Sequence, residues 1–128
     1  MERKRVEAVG AAVVDSAICV HRELGPGLLE SAYQDCLAHE LRSRGFDVVC
    51  EKQLPVVYKG RLLDVGYRID MVVANGVVVE NKVVEKILPI HRAQLLTYLR
   101  MSGLRLGYLL NWRVDLMKKG IRRMVFNL

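Results

Sequence analysis

Three residues near the middle of the chain have the types and spacing to share one piece of chemistry: Asp70, Glu80 and Lys82. Glu80 and Lys82 interrupt an apolar stretch, Val77-Val78-Val79-Glu80-Asn81-Lys82-Val83-Val84, that otherwise reads as a buried strand. Strand side chains alternate faces. Glu80 and Lys82 therefore lie with Val78 and Val84, while Val77, Val79, Asn81 and Val83 take the other side. Asp70 stands on the preceding strand, across the turn Ala74-Asn75-Gly76. A two-residue Asn75-Gly76 turn pairs Ala74 with Val77 and faces Asp70 away from Glu80. A three-residue loop pairs Val73 with Val77 and sets Asp70 directly opposite Glu80, with Gly76 suited to the left-handed third position. The turn sequence permits both registers. In the second, like charges face each other and destabilise the sheet, the more so if buried. A cation between them, or a proton on one, relieves the repulsion. Two carboxylates with a lysine close by make a Mg²⁺-type site, since magnesium prefers oxygen ligands and keeps several waters. The lysine could then position a water or stabilise developing negative charge. The alternative is a surface ion pair between Glu80 and Lys82, with Asp70 merely solvated.

Two helical segments carry further polar groups. Glu30 shares a helix with Leu29, Ala32, Tyr33, Leu37 and Leu41. At about 100° per residue it projects close to the line of Leu37 and Leu41. An acid on an apolar face needs a metal, a lysine or hydrogen-bond donors. A first-turn position favoured by the helix dipole explains its place along the helix but not its face. His91, Gln94 and Tyr98 fall on one face of a later helix, with Arg92 and Arg100 nearby. Such a row suits contact with phosphate or orientation of a metal-bound water. Hydrogen bonding along the helix surface, with Tyr98 partly in the core, is the alternative. His21 and His39 have no convincing ligand partners.

The elements that position these groups follow from periodicity and punctuation. A first helix covers about residues 5–23, with Val6, Val9, Val13, Ala17, Val20 and Leu24 at helical spacing. Gly25-Pro26-Gly27 ends it. A second runs over about residues 28–44 and stops at Gly45. Asp47–Lys52 and Leu54–Tyr58 read as short strands, Lys59-Gly60 as a turn, and Leu62–Val73 as one longer strand bent at Gly66. After the valine strand, Pro89 starts a helix to about Met101. Leu106–Asn111 and Ile121–Phe126 close the chain as strands. This order predicts an α+β or α/β fold, a mixed central sheet flanked by helices.

Composition sets the outer bounds. The chain has 128 residues, of which 52% are hydrophobic, enough for one domain with a real core rather than a disordered segment. Three widely spaced cysteines, Cys19, Cys36 and Cys50, form no Cys-x-x-Cys pair and read as buried free thiols in a reducing cytoplasm. The N-terminal run loosely imitates a signal peptide, but Glu7 and Asp15 interrupt it and its apolar spacing suggests an amphipathic helix; no run reaches the ~18 apolar residues of a membrane span. A soluble, cytoplasmic protein is expected. Residues 1–85 carry 11 Lys/Arg against 13 Asp/Glu, whereas residues 86–128 carry 9 against the single acid Asp115. A basic half fits a polyanion such as nucleic acid, or is an ordinary solvated surface.

These residues together resemble a known family. Gly27-Leu28-Leu29-Glu30-Ser31-Ala32-Tyr33 is similar to the signature of the GxxExxY proteins, within the PD-(D/E)XK nuclease superfamily. Asp70 followed by Glu80-Asn81-Lys82 resembles the superfamily's D…(D/E)-x-K motif, and Gln94-Leu95-Leu96-Thr97-Tyr98 the Q-x-x-x-Y motif of its RecB-like branch. Gly107-Tyr108-Leu109-Leu110-Asn111-Trp112 and Lys119-Gly120-Ile121-Arg122-Arg123 resemble its C-terminal pattern, so the likeness extends from about His21 to Phe126. The resemblance implies a restriction-endonuclease-like core and a Mg²⁺- or Mn²⁺-dependent nuclease acting on DNA or RNA. It implies that Asp70 and Glu80 bind the metal, with the Asn81 carbonyl as a further ligand. Lys82 would assist the attacking water, and Glu30 would be an accessory acid. Gln94 and Tyr98 would support the site or touch phosphate. It also favours the three-residue loop. Asn81 stands where such motifs usually carry an apolar residue, so its amide needs hydrogen-bond partners. Two other classes remain open: a catalytically silent nucleic-acid-binding module, and a dimeric interaction protein on the same fold. The chain offers little beyond the nuclease core, so a partner or a homodimer could supply recognition.

Overall fold

A computed structural model describes residues 1–64 and 66–128. The elements run α1 (Arg3–Leu24), α2 (Glu30–Ser43), β1 (Val48–Gln53), β2 (Val56–Tyr58), β3 (Arg61–Leu63), β4 (Arg68–Val73), β5 (Val77–Lys82), α3 (Pro89–Ser102), β6 (Leu106–Asn111) and β7 (Ile121–Val125). A short 3-10 turn, Met117–Gly120, precedes β7 and has no sequence signal of its own.

Five strands form one sheet in the order β1-β4-β5-β6-β7. Every neighbouring pair is antiparallel except β5 and β6, which are parallel and joined through α3. Parallel neighbours need such a crossover, and a helix supplies it. The expected mixed sheet flanked by helices is therefore the observed fold. One side of the sheet is covered by α1 and α2. There Val9, Val13, Tyr33, Leu37 and Leu41 pack with Val77, Val79, Leu110 and Trp112. The other side is covered by α3, whose Leu95, Tyr98 and Leu99 pack with Val72, Val78 and Leu109. The valine strand thus feeds both cores, as its two-sided apolar sequence requires. Two glycines allow the helices this close. A Cβ on Gly10 would lie 2.7 Å from Tyr108 Oη, and one on Gly107 would lie 2.9 Å from Leu95 Cδ1.

Several expectations need correction. The single strand expected over Leu62–Val73 is two: β3 pairs with β2 in a separate two-stranded sheet, and β4 enters the main sheet. Gly66 marks the break, with φ +75°, while Val65 lies outside the described residues. The second helix begins at Glu30 rather than near residue 28, leaving Leu28 and Leu29 exposed ahead of it. All three cysteines are free, but half-buried rather than buried. His21, for which no ligand role was expected, is buried, and its Nε2 bonds the Val114 carbonyl at 2.9 Å. No helix among the described residues is long and apolar enough to cross a membrane.

Candidate active site

The β4–β5 hairpin settles the register. Val73 pairs with Val77, Val72 with Val78 and Met71 with Val79. One further step of the same register sets Asp70 opposite Glu80. The loop therefore has three residues, but its left-handed positions are Ala74 (φ 50°) and Asn75 (φ 56°), not Gly76. Glycine at 76 answers a different need, because a Cβ there would lie 2.8 Å from Met1 Sδ.

Beyond Met71 and Val79 the ladder stops, and side chains take over. The Asp70 N–H donates to Glu80 Oε2 at 2.7 Å, and the Asn81 N–H donates to Asp70 Oδ2 at 2.8 Å. Each carboxylate thus reaches across to a main-chain amide of the opposite strand. A residue in an extended strand turns its N–H and C=O to the same edge. The Asn81 carbonyl therefore faces the β4 edge as well, beside both acids. Asp70 Oδ1 and Glu80 Oε1 accept no hydrogen bond from the described residues, yet neither is a sealed buried atom.

Glu80 is only 3% exposed. Burial pushes its carboxyl up to about 8, and the charge of Asp70 adds to the effect. Asp70 is pushed up to about 6, first by burial and then by the charge of Glu30, against the Asn81 amide and Lys82, which pull it down. Two carboxyls that resist ionisation this strongly fit a bound cation. Every donor is oxygen, which suits a hard divalent ion such as Mg²⁺. Among the described residues no three His, Cys, Asp or Glu side chains are grouped to hold a metal by themselves. The Asn81 carbonyl, water or substrate phosphate would have to complete the shell, as is usual for magnesium.

Lys82 influences both acids electrostatically but forms no ion pair within 4.0 Å with either among the described residues. The surface pair between Glu80 and Lys82, one of the two readings of the sequence, is therefore not what the chain builds. The end of β5 is held by Asn111. Its Nδ2 donates to the Val84 carbonyl at 2.9 Å, and its Oδ1 accepts from the Val84 N–H at 3.1 Å.

Asn81 is fully buried, and its amide is satisfied. Oδ1 accepts from Trp112 Nε1 at 2.9 Å, while Nδ2 donates to Gln34 Oε1 at 3.3 Å and approaches Met71 Sδ at 3.3 Å. Gln34 Nε2 donates in turn to Glu51 Oε1 at 2.9 Å. Trp112 stacks on Tyr33, with centroids 4.8 Å apart and planes 8° apart. Tyr33 Oη donates to the Gly25 carbonyl at 2.6 Å and accepts from the Leu28 N–H at 3.1 Å. The tyrosine thereby fastens the turn that launches α2. That turn passes through Gly27 at φ +109°, a value few side chains tolerate.

Glu30 is exposed at the first position of α2, not seated on its apolar face as the helical projection suggested. The reason is the late helix start, which leaves it at the rim. Its charge nonetheless acts on Asp70 and Glu80. Gln94 Nε2 donates to Tyr98 Oη at 3.0 Å. Tyr98 is buried against Val78, on the sheet face Glu80 shares, and its phenol is pushed up by burial and then by the charges of Glu80 and Asp70. His91 is engaged elsewhere: its Nδ1 accepts from the Leu88 N–H at 3.0 Å and caps α3. Arg92 and Arg100 are exposed on α3 and make no ion pair among the described residues.

Sequence reading missed Glu51. The β1–β4 ladder runs from Val48↔Val73 to Cys50↔Met71 and resumes at Lys52↔Ile69, skipping Glu51, whose φ is 54°. Its charge bears on Asp70. An acid breaking the Val48-Val49-Cys50 run was the available signal. A depression of about 640 Å³ lined by Glu30, Gln34 and Glu51 adjoins the site. A larger depression, about 1100 Å³, lies near Met1, Arg5, Phe46 and Asn75 at the hairpin-turn end and holds none of these residues.

Mixed sheet, flanking helices and paired acids at the splayed end of a hairpin define a class, and the family comparison agrees. Residues 7–124 match the model of the PD-(D/E)XK nuclease superfamily, and the chain belongs to that superfamily. Comparisons with curated proteins and with solved structures gave no match.

Proposed function

We propose that the chain is a divalent-metal-dependent nuclease that hydrolyses phosphodiester bonds of DNA or RNA, within the GxxExxY branch of the superfamily. On this reading residues 1–128 serve as one nuclease-like domain acting in the cytoplasm. The observation that carries it is the crossed arrangement of Asp70 and Glu80, with Lys82 on the same strand and free of either acid. Asp70, Glu80 and the Asn81 carbonyl would hold Mg²⁺ or Mn²⁺, with Glu30 as an accessory acid at the rim. When bound, the ion polarises the phosphoryl oxygen and lowers the pKa of an attacking water.

The chain's own residues do the remaining work. Water adds to phosphorus and gives up a proton to solvent, charge builds on the phosphoryl oxygens, and the P–O bond to the leaving sugar breaks as the departing oxygen takes a proton from solvent. Lys82, on the same strand as Glu80, would stabilise that charge or orient the water. Gln94 fixes the Tyr98 hydroxyl, and the pair can contact the phosphate from the α3 side. Arg92, Arg100 and His91 belong to the same helix and would add longer-range attraction for the polyanion. Cleavage of labelled DNA and RNA oligonucleotides with Mg²⁺ or Mn²⁺ is the test. Glu80→Ala and Lys82→Ala should each lower the rate at least ~100-fold. Wild-type rates in both variants would show the site to be misassigned. A basic half, with 9 Lys/Arg against Asp115 in residues 86–128, favours a second reading: a silent nucleic-acid-binding module. Salt-sensitive binding without cleavage, unchanged by chelator, would select it.

A further inference from the structure

Beside the paired acids lies an apolar groove that the hydrolytic site does not use. It is walled by Leu54, Val56 and Tyr67 at the base of the β2–β3 hairpin and by Ile90, Thr97 and Met101 on α3, with a volume of about 440 Å³. Gln94 and Tyr98 line it too. Tyr98 packs on the sheet face that carries Val78, the face Glu80 shares, and so stands between site and groove. Tyr67 is 50% exposed and Ile90 67% exposed, and the hairpin adds Tyr58, which shares a face with Val56 and is 61% exposed. A three-residue strand pair with such a surface leaves apolar area that a partner would cover.

Charge says what kind of partner. The hairpin segment that walls the groove carries the exposed cations Lys59, Arg61 and Arg68, against the exposed acid Asp64. Lys59 Nζ stands 5.5 Å from the Tyr58 ring centre. Aromatic rings interleaved with cations, next to an apolar slot, match an unpaired nucleotide: phosphate for the cations, base face for the rings. A paired base offers only its edge, so a duplex cannot fill the slot. A second copy of the chain would bring the same cations against these and be repelled.

We propose that this groove receives an unpaired nucleobase next to the scissile phosphate, making single-stranded or frayed nucleic acid the preferred substrate class. This rests on the nuclease reading for its purpose but not for its test. The test is fluorescence polarisation in EDTA, with a labelled single strand, an abasic strand of equal length and a duplex. The single strand should bind ~10-fold tighter than the abasic strand, and Tyr67→Ala or Ile90→Ala should abolish that difference. Both positions are exposed, so the variants keep the fold, which their circular dichroism and melting temperature will verify. Equal binding of the base-bearing and abasic strands would overturn the proposal. So would a duplex bound as tightly as the single strand, no binding at all, or a dimer that Tyr67→Ala dissociates in sedimentation. Base preference without metal-dependent cleavage would remove the nuclease reading alone. Cleavage without base preference would remove this proposal alone.

Discussion

Glu80 is a carboxylic acid that the fold makes costly to ionise. In the folded chain it keeps its proton up to about pH 8, against an ordinary value of 4.5. Between those limits the folded state binds more protons than the unfolded one, so stability falls as pH rises. Glu80→Gln keeps the shape and removes the titration. In EDTA the variant should gain on the wild type as pH rises from about 5 to 9, by on the order of 3 kcal/mol at the upper end. Urea denaturation at several pH values will show this, and a constant gap would refute it. Asn81 carries a different lesson. Its amide exists to satisfy Trp112 Nε1, which explains a polar residue where the motif usually has an apolar one. Asn81→Leu should cost ~1–3 kcal/mol by orphaning the buried indole N–H. Adding Trp112→Phe should recover much of that loss in denaturation experiments, because both partners are then gone. Neither Trp112 nor Gln34 was foreseeable as a partner, since nothing local marks residues 31 and 47 positions apart in the chain as neighbours in space.

Among the elements, those with strong periodicity were legible. The apolar rows of α1, the valine strand and the proline start of α3 each appear within a few residues of their expected places. The segment over Leu62–Val73 was not, because alternation looks the same whichever partner a strand takes. Only the Gly66 break hinted that it splits between two sheets. The Asp70–Glu80 pairing was legible as one of two registers, and the sheet chose it. The start of α2 was misplaced because its fastening is a side-chain clasp, from Tyr33 back to Gly25 and Leu28, that helical periodicity does not mark. Tyr33→Phe should therefore cost ~1–2 kcal/mol in thermal or urea unfolding. Tyr33→Ala, which also removes the stack on Trp112, should cost ~3–5 kcal/mol. Equal losses would show that the hydroxyl fastens nothing.

Taken as a whole molecule, the chain puts its most fully laddered strands and its candidate site at opposite ends of the sheet. Near the β4–β5 turn the strands are fully laddered, and a Met1 side chain packs against Gly76. At the other end the ladder gives way to Asp70 and Glu80, and three layers converge there: α2 through Glu30 and Gln34, α3 through Gln94 and Tyr98, and the sheet itself. Ligands in sheets with crossover helices commonly bind where strand ends open, and this is such an end. The most direct measurement is calorimetric titration of Mg²⁺ and Mn²⁺ into the wild type and into Asp70→Asn/Glu80→Gln, at pH 7 and pH 8.5, with a short non-cleavable oligonucleotide present. Binding in the wild type that tightens at the higher pH, with protons released, and that vanishes in the double variant is the expected result. Equal binding in both proteins, or none in either with the oligonucleotide bound, would contradict a metal site at Asp70 and Glu80.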